Sequence, residues 1–220
     1  MRRFGIAFVA ASVALVFLGG CGSGSSPSGK IDTGGTRFVP NYIDNLGTDV
    51  ARWSSPEVSV HFTPGAEPDS GILRAQLNEA VRRWNESGAD VQLVLTDSEN
   101  ADIPLTFTSA DDADYADGTV GITTRRFVRA NPYSRMVDAS VKIKAGLSDG
   151  KRQAVITHEL GHALGLGGHS PDEHDVMYPA PQPPGSLTDP DTNTVKTVYS
   201  GRSRGAVTGS VQEESDRCPG

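Results

Sequence analysis

The chain has 220 residues, 36% of them hydrophobic, with 20 basic and 27 acidic side chains and a net charge of −7. No basic cluster stands out that could neutralise a run of phosphates, and the net charge opposes a polyanion, so a nucleic-acid partner is disfavoured. Only two cysteines occur, Cys21 and Cys218, which leaves little room for a disulfide framework and puts the burden of stability elsewhere, first on a packed core.

Residues 1–20 read as an export signal: Arg2 and Arg3 form the charged start, and the apolar stretch from Phe4 to Leu18 is too short to span a membrane. Leu18-Gly19-Gly20-Cys21 resembles a bacterial lipobox. That resemblance implies cleavage before Cys21 and a lipid anchor on its sulfur, on the extracytoplasmic face of the cell envelope. The alternative is an ordinary secretory signal and a secreted protein. Removing Arg2 and Arg3 from the 20 basic residues leaves 18 against 27 acids, a mature charge of −9. Residues 21–36 are rich in glycine and serine and read as a flexible tether. Residues 37–200 suffice for a single core, without a second linker or a repeat. Residues 201–220 are polar and read as a disordered tail, with Cys218 an idle lone thiol.

Within the domain, hydrophobic period gives the elements in order. Val58 to Phe62 alternates as a strand, Ile72 to Trp84 places Leu73, Leu77, Ala80, Val81 and Trp84 on one helical stripe, and Val91 to Leu95 is again a strand. Ile103 to Thr108, Val120 to Thr124 and Ala139 to Ile143 are further strands. Arg152 to Leu166 is a helix, and Leu187 to Tyr199 closes the domain, with Asp189 and Asp191 complementing its N-terminal dipole. Trp53 and Trp84 read as core, because large aromatic side chains bury well. His61 reads as a half-exposed strand residue.

The chemistry lies in His158-Glu159-Leu160-Gly161-His162-Ala163-Leu164-Gly165-Leu166-Gly167-Gly168-His169-Ser170. Histidines four apart on a helix share a face, so His158 and His162 can direct two ring nitrogens at one tetrahedral zinc ion, with Glu159 beside the attacking water. Gly165 stands where the helix must stop and reverse. His169 then returns as the third ligand; His174, Asp172 and Asp175 are the rival donors.

The run resembles the signature of the metzincin clan, H-E-x-x-H-x-x-G-x-x-H followed by a methionine turn, and His169-Ser170 with Met177-Tyr178-Pro179 resemble its matrixin branch. One departure falls inside the signature: the clan's third histidine would occupy the position of Gly168, so His169 comes one residue late, as if Gly167-Gly168 absorbed an insertion. Arg52-Trp53, the Trp84 helix, Ala101-Asp102-Ile103 and Leu187 to Tyr199 extend the resemblance over most of residues 51–200.

The resemblance implies an α+β domain: a twisted, mostly parallel sheet of about five strands with an antiparallel edge strand, packed with about three helices. It also implies a zinc endopeptidase in which Glu159 is general base toward a metal-activated water, acting on protein or peptide substrates. Met177 would form the floor of the ligand cage, and Tyr178 and Pro179 would line a substrate pocket. Matrixins carry calcium in the loop corresponding to Ser109 to Gly118, where Asp111, Asp112, Asp114 and Asp117 offer oxygens, although a solvated acidic loop is the plainer reading. The competing function is a non-catalytic, zinc-stabilised envelope lipoprotein acting as a binding module, which would have no need of Glu159; a monomer is expected on either reading.

Overall fold

The computed structural model describes residues 41–46, 50–68, 71–115, 117–131, 133–200 and 209–220. The export signal 1–20, Cys21 and the tether 21–36 lie outside the described residues. Four helices and seven strands make up the rest: α1 (Ile43–Leu46), β1 (Ala51–Arg52), β2 (Glu57–Thr63), α2 (Gly71–Asn85), β3 (Gln92–Thr96), β4 (Ile103–Thr108), β5 (Thr119–Val128), β6 (Ser134–Lys144), α3 (Asp149–Ala163), α4 (Asp189–Tyr199) and β7 (Val211–Pro219).

One sheet runs in the order β3-β2-β4-β6-β5-β7, with the two-residue β1 also pairing β6. β2 is parallel to β3 and β4, and β4 is parallel to β6. β5 runs antiparallel to β6. Alternation drives these strands: Val58 and Val60 of β2, and Ile103, Leu105 and Phe107 of β4, turn into the core while their neighbours face out. The apolar stripe of α2 is buried at Leu73, Leu77, Ala80, Val81 and Trp84, as the periodicity requires. α3 packs against α2, β5 and β6 and is buried almost all round. Trp53 and Trp84 are core residues whose indole nitrogens donate to the carbonyls of Ala163 at 2.9 Å and Thr157 at 2.8 Å, so both brace α3.

The sheet is larger than five strands, and β5 is not its edge. Beyond β5 lies β7, antiparallel, pairing Val128↔Val211 through Arg125↔Glu214 to Gly121↔Cys218. The expectation of a disordered tail is therefore corrected for residues 209–220, while 201–208 lie outside the described residues. The cause is electrostatic. Gln212, Glu214, Asp216 and Cys218 face the domain in alternation, and the almost fully buried Arg125 donates to Asp216 at 2.7 Å and stands 3.5 Å from Glu214. A hydrophobic period has no amplitude in such a strand. Cys218 is buried rather than idle in solvent.

The opposite edge is protected differently. Asn85, the last residue of α2, donates its amide to the Leu93 carbonyl at 2.9 Å and accepts the Leu93 N–H at 2.8 Å, occupying both outward backbone groups of that residue of β3. Replacing Asn85 by Ala strands both groups next to a buried leucine. The expected cost is about 1–3 kcal/mol, read as a lowered urea midpoint with an unchanged slope.

Candidate metal centre

α3 carries His158 and His162 one turn apart, and each ring is fixed by its Nδ1. That of His158 donates to the Val176 carbonyl at 2.7 Å and that of His162 to the Leu166 carbonyl at 2.6 Å. A carbonyl can only accept, so both Nδ1 atoms carry the hydrogen and both Nε2 atoms present lone pairs. Those two Nε2 atoms lie 3.0 Å apart. Two lone pairs at that separation repel unless positive charge lies between them. Nitrogens held about 2.1 Å from one tetrahedral ion stand about 3.4 Å apart, close to what is seen.

His169 completes the group. Its ring centroid is 5.4 Å from that of His158 and 5.1 Å from that of His162, and its Nε2 is buried without a hydrogen-bond partner. One ligand atom from each of the three histidines falls within 4.8 Å of the others. Burial holds all three imidazoles below their usual range, and neighbouring rings reinforce this at His158 and His162. Neutral imidazole is the form that binds metal. The donor set therefore fits zinc, with three nitrogens and a fourth direction not taken by a histidine.

The shifted register is accommodated by two left-handed glycines. Gly165 (φ +100°) ends the helical run, its N–H donating to the His162 carbonyl at 2.7 Å. A Cβ there would lie 2.0 Å from the Ala51 carbonyl oxygen. Gly168 (φ +74°) then turns the chain so that His169 comes back over the helix. The rival donors point elsewhere: His174 and Asp172 are exposed, and buried Asp175 accepts from Ser170 and Thr188. His61 sits on β2 with Nδ1 3.2 Å from the Thr96 carbonyl.

Glu159 is fully buried. Its Oε2 accepts the Thr123 hydroxyl of β5 at 2.6 Å, while Oε1 has no hydrogen bond of regular geometry. Burial pushes the carboxyl up to about 8, partly offset by the Cys218 thiol and the Thr123 hydroxyl beside it. A cation held by the adjacent histidines would favour the ionised form. Neither Thr123 nor Cys218 carried a sequence signal for this role.

Met177 lies beneath α3, fully buried. A Cβ on Gly161 would meet its Sδ at 2.3 Å and the Trp84 ring at 2.7 Å, so helix and methionine turn touch through a bare backbone. The turn is held by Asp191, whose buried carboxylate accepts from the Val176 N–H at 2.9 Å, the Thr188 N–H at 2.9 Å and the Tyr42 hydroxyl at 2.7 Å. Val176 in turn accepts from His158, so Asp191 orients the first histidine from two steps away. Tyr178 and Pro179 are half-buried, and Tyr178 lines a shallow surface depression with Pro171, Asp172 and Glu173.

Calcium gains no support. Asp112 and Asp117 accept backbone N–H groups of their own turns, Asp114 pairs with Lys142 at 3.2 Å, and Asp111 is exposed. Among the described residues no three of these carboxylates gather.

Chelation should lower the melting temperature, and one equivalent of zinc should restore it. His169→Ala should weaken zinc binding roughly a hundredfold or more, whereas His174→Ala should leave it unchanged, as competition with a chromogenic chelator would show. Asp191→Ala should cost about 2 kcal/mol or more in denaturant unfolding, because several buried donors lose their acceptor together.

A comparison of the chain with curated protein sequences finds no match. A family model, matrixin, matches residues 52–200, which include α3, all three histidines and the methionine turn. On that match the chain belongs to the matrixin family of zinc metallopeptidases.

Proposed function

We propose that this protein is a zinc-dependent endopeptidase in which His158, His162 and His169 hold one metal ion and Glu159 is the general base. The observation that carries the reading is a fully buried carboxylate set beside His158, one of three convergent imidazoles. A structural zinc site gains nothing from such a carboxylate; hydrolysis requires one. When bound, zinc would supply the positive charge that acidifies water and stabilises a developing oxyanion.

The chain's own groups supply the rest. The Thr123 hydroxyl occupies Oε2 of Glu159, so Oε1, which lies beside the Cys218 thiol, is the oxygen that would take the proton of the attacking water and then deliver it to the departing amine. The Val176 and Leu166 carbonyls lock the histidine tautomers, so the Nε2 lone pairs remain on the metal side throughout. Substrates are proteins or peptides. A lipid anchor at Cys21 would place the enzyme on the extracytoplasmic face of the envelope as a monomer. No helix among the described residues is long and apolar enough to cross a membrane.

Glu159→Gln should keep one zinc per chain and lower kcat on a quenched peptide by at least about a hundredfold. Full zinc occupancy with no cleavage of any member of a broad peptide library, either by the natural chain or by a chain in which Asp216→Asn loosens the strand that ends at Cys218, would instead establish the binding module.

A further inference from the structure

We propose that β7 occupies the position an extended peptide substrate takes along β5, and that Arg125 reads a carboxylate in that substrate. This rests on the peptidase reading above and adds to it a substrate class and a built-in competitor.

An extended peptide joins a sheet only at an open edge, through main-chain hydrogen bonds. One edge of this sheet, β3, is interrupted by Asn85, which takes both outward backbone groups of Leu93. On the other side β5 borders the catalytic carboxylate, with the Thr123 hydroxyl bonded to Glu159. A Cβ on Gly121 would lie 2.2 Å from Glu159 Oε1 and 2.9 Å from Cys218 Sγ, so carboxylate and thiol meet over bare β5 backbone. A substrate strand on β5 would pass there, and β7 does so now, with Cys218 opposite Gly121 and Asp216 opposite Thr123.

Three features mark β7 as an occupant. The matrixin match ends at residue 200, before β7 begins. The strand contributes little apolar burial: Cys218 is its one fully buried side chain, and Val211 is exposed. Its hold is polar and centred on the site. Asp216 accepts from Arg125 Nε at 2.7 Å and from the Gly168 N–H at 3.2 Å, on the loop that delivers His169, while Cys218 Sγ, a Glu159 oxygen and a His158 nitrogen all lie within 4.8 Å of one another. With β7 docked, a peptide cannot lie on β5 beside Glu159. With β7 displaced, Arg125 turns a buried guanidinium toward the cleft, and a peptide with acidic side chains at alternate positions, as at Glu214 and Asp216, replaces what β7 supplied.

The test compares the zinc-loaded mature chain with Asp216→Asn, using a quenched peptide bearing glutamates at alternate positions. Weakening one charge-assisted contact of a tethered competitor should lower KM about tenfold while kcat changes less than about twofold, and should speed alkylation of Cys218 by iodoacetamide to a similar degree. Alkylation is located by mass spectrometry. In a Glu159→Gln chain, which needs no turnover, the same peptide should accelerate Cys218 alkylation to a plateau. That plateau without cleavage by any chain keeps the shared strand position and removes the peptidase assignment. Faster alkylation in Asp216→Asn with KM unchanged, or no response of alkylation to peptide, overturns the proposal. Glu214→Gln serves the same comparison should Asp216→Asn fail to fold.

Discussion

Two imidazole nitrogens with lone pairs facing each other at 3.0 Å are the constraint around which the domain is arranged. Neither ring can rotate away, because each is held by a carbonyl from a different loop: Val176 for His158 and Leu166 for His162. The two carbonyls are fixed in turn, Val176 through its N–H on Asp191 and Leu166 through its bridge to Val50. The closing helix, the methionine turn and the segment leading into β1 thus converge on one small volume. Repulsion left without a cation there would be transmitted to all of them, so metal and fold are coupled.

Much of this was legible in the sequence. β4 falls on the predicted residues, and α2, β2 and β3 lie within one residue of expectation, because each buries one face and so carries a period; β5 runs four residues past its expected end and β6 begins five before its expected start. The zinc run was readable for another reason: its ligands lie within twelve residues, so local helix geometry and two left-handed glycines suffice to assemble them. Asp191 and Tyr42 meet across 149 residues, and Arg125 and Asp216 across 91. Such contacts leave no periodic trace. In the sequence Asp191 reads only as a helix-dipole residue; its hold on the methionine turn depends on where α4 packs. The acidic loop from Asp111 to Asp117 suggested calcium by composition, but its carboxylates serve turns and an ion pair.

The two ends of the sheet illustrate different answers to one problem. At β3 a single asparagine from the neighbouring helix satisfies the outward backbone of Leu93, in the middle of the edge that a partner strand would need. At β5 the chain uses a whole strand, anchored by carboxylates on a buried arginine. A net-negative chain therefore keeps a cation beside its metal centre and supplies acids of its own to meet it. The extra residue that delays His169 belongs to the same arrangement, since the N–H of Gly168 is one of the groups that Asp216 engages.

The contact at Gly161 has a consequence for how related sequences can diverge. Helix α3, the Trp84 ring and the Met177 sulfur share a space with no room for a methyl group. A relative bearing alanine or serine at this position must therefore also carry a smaller side chain at the position of Trp84 or a differently routed turn at that of Met177. These three sites should vary together across the family's descendants, and a lone change at any one of them should be rare.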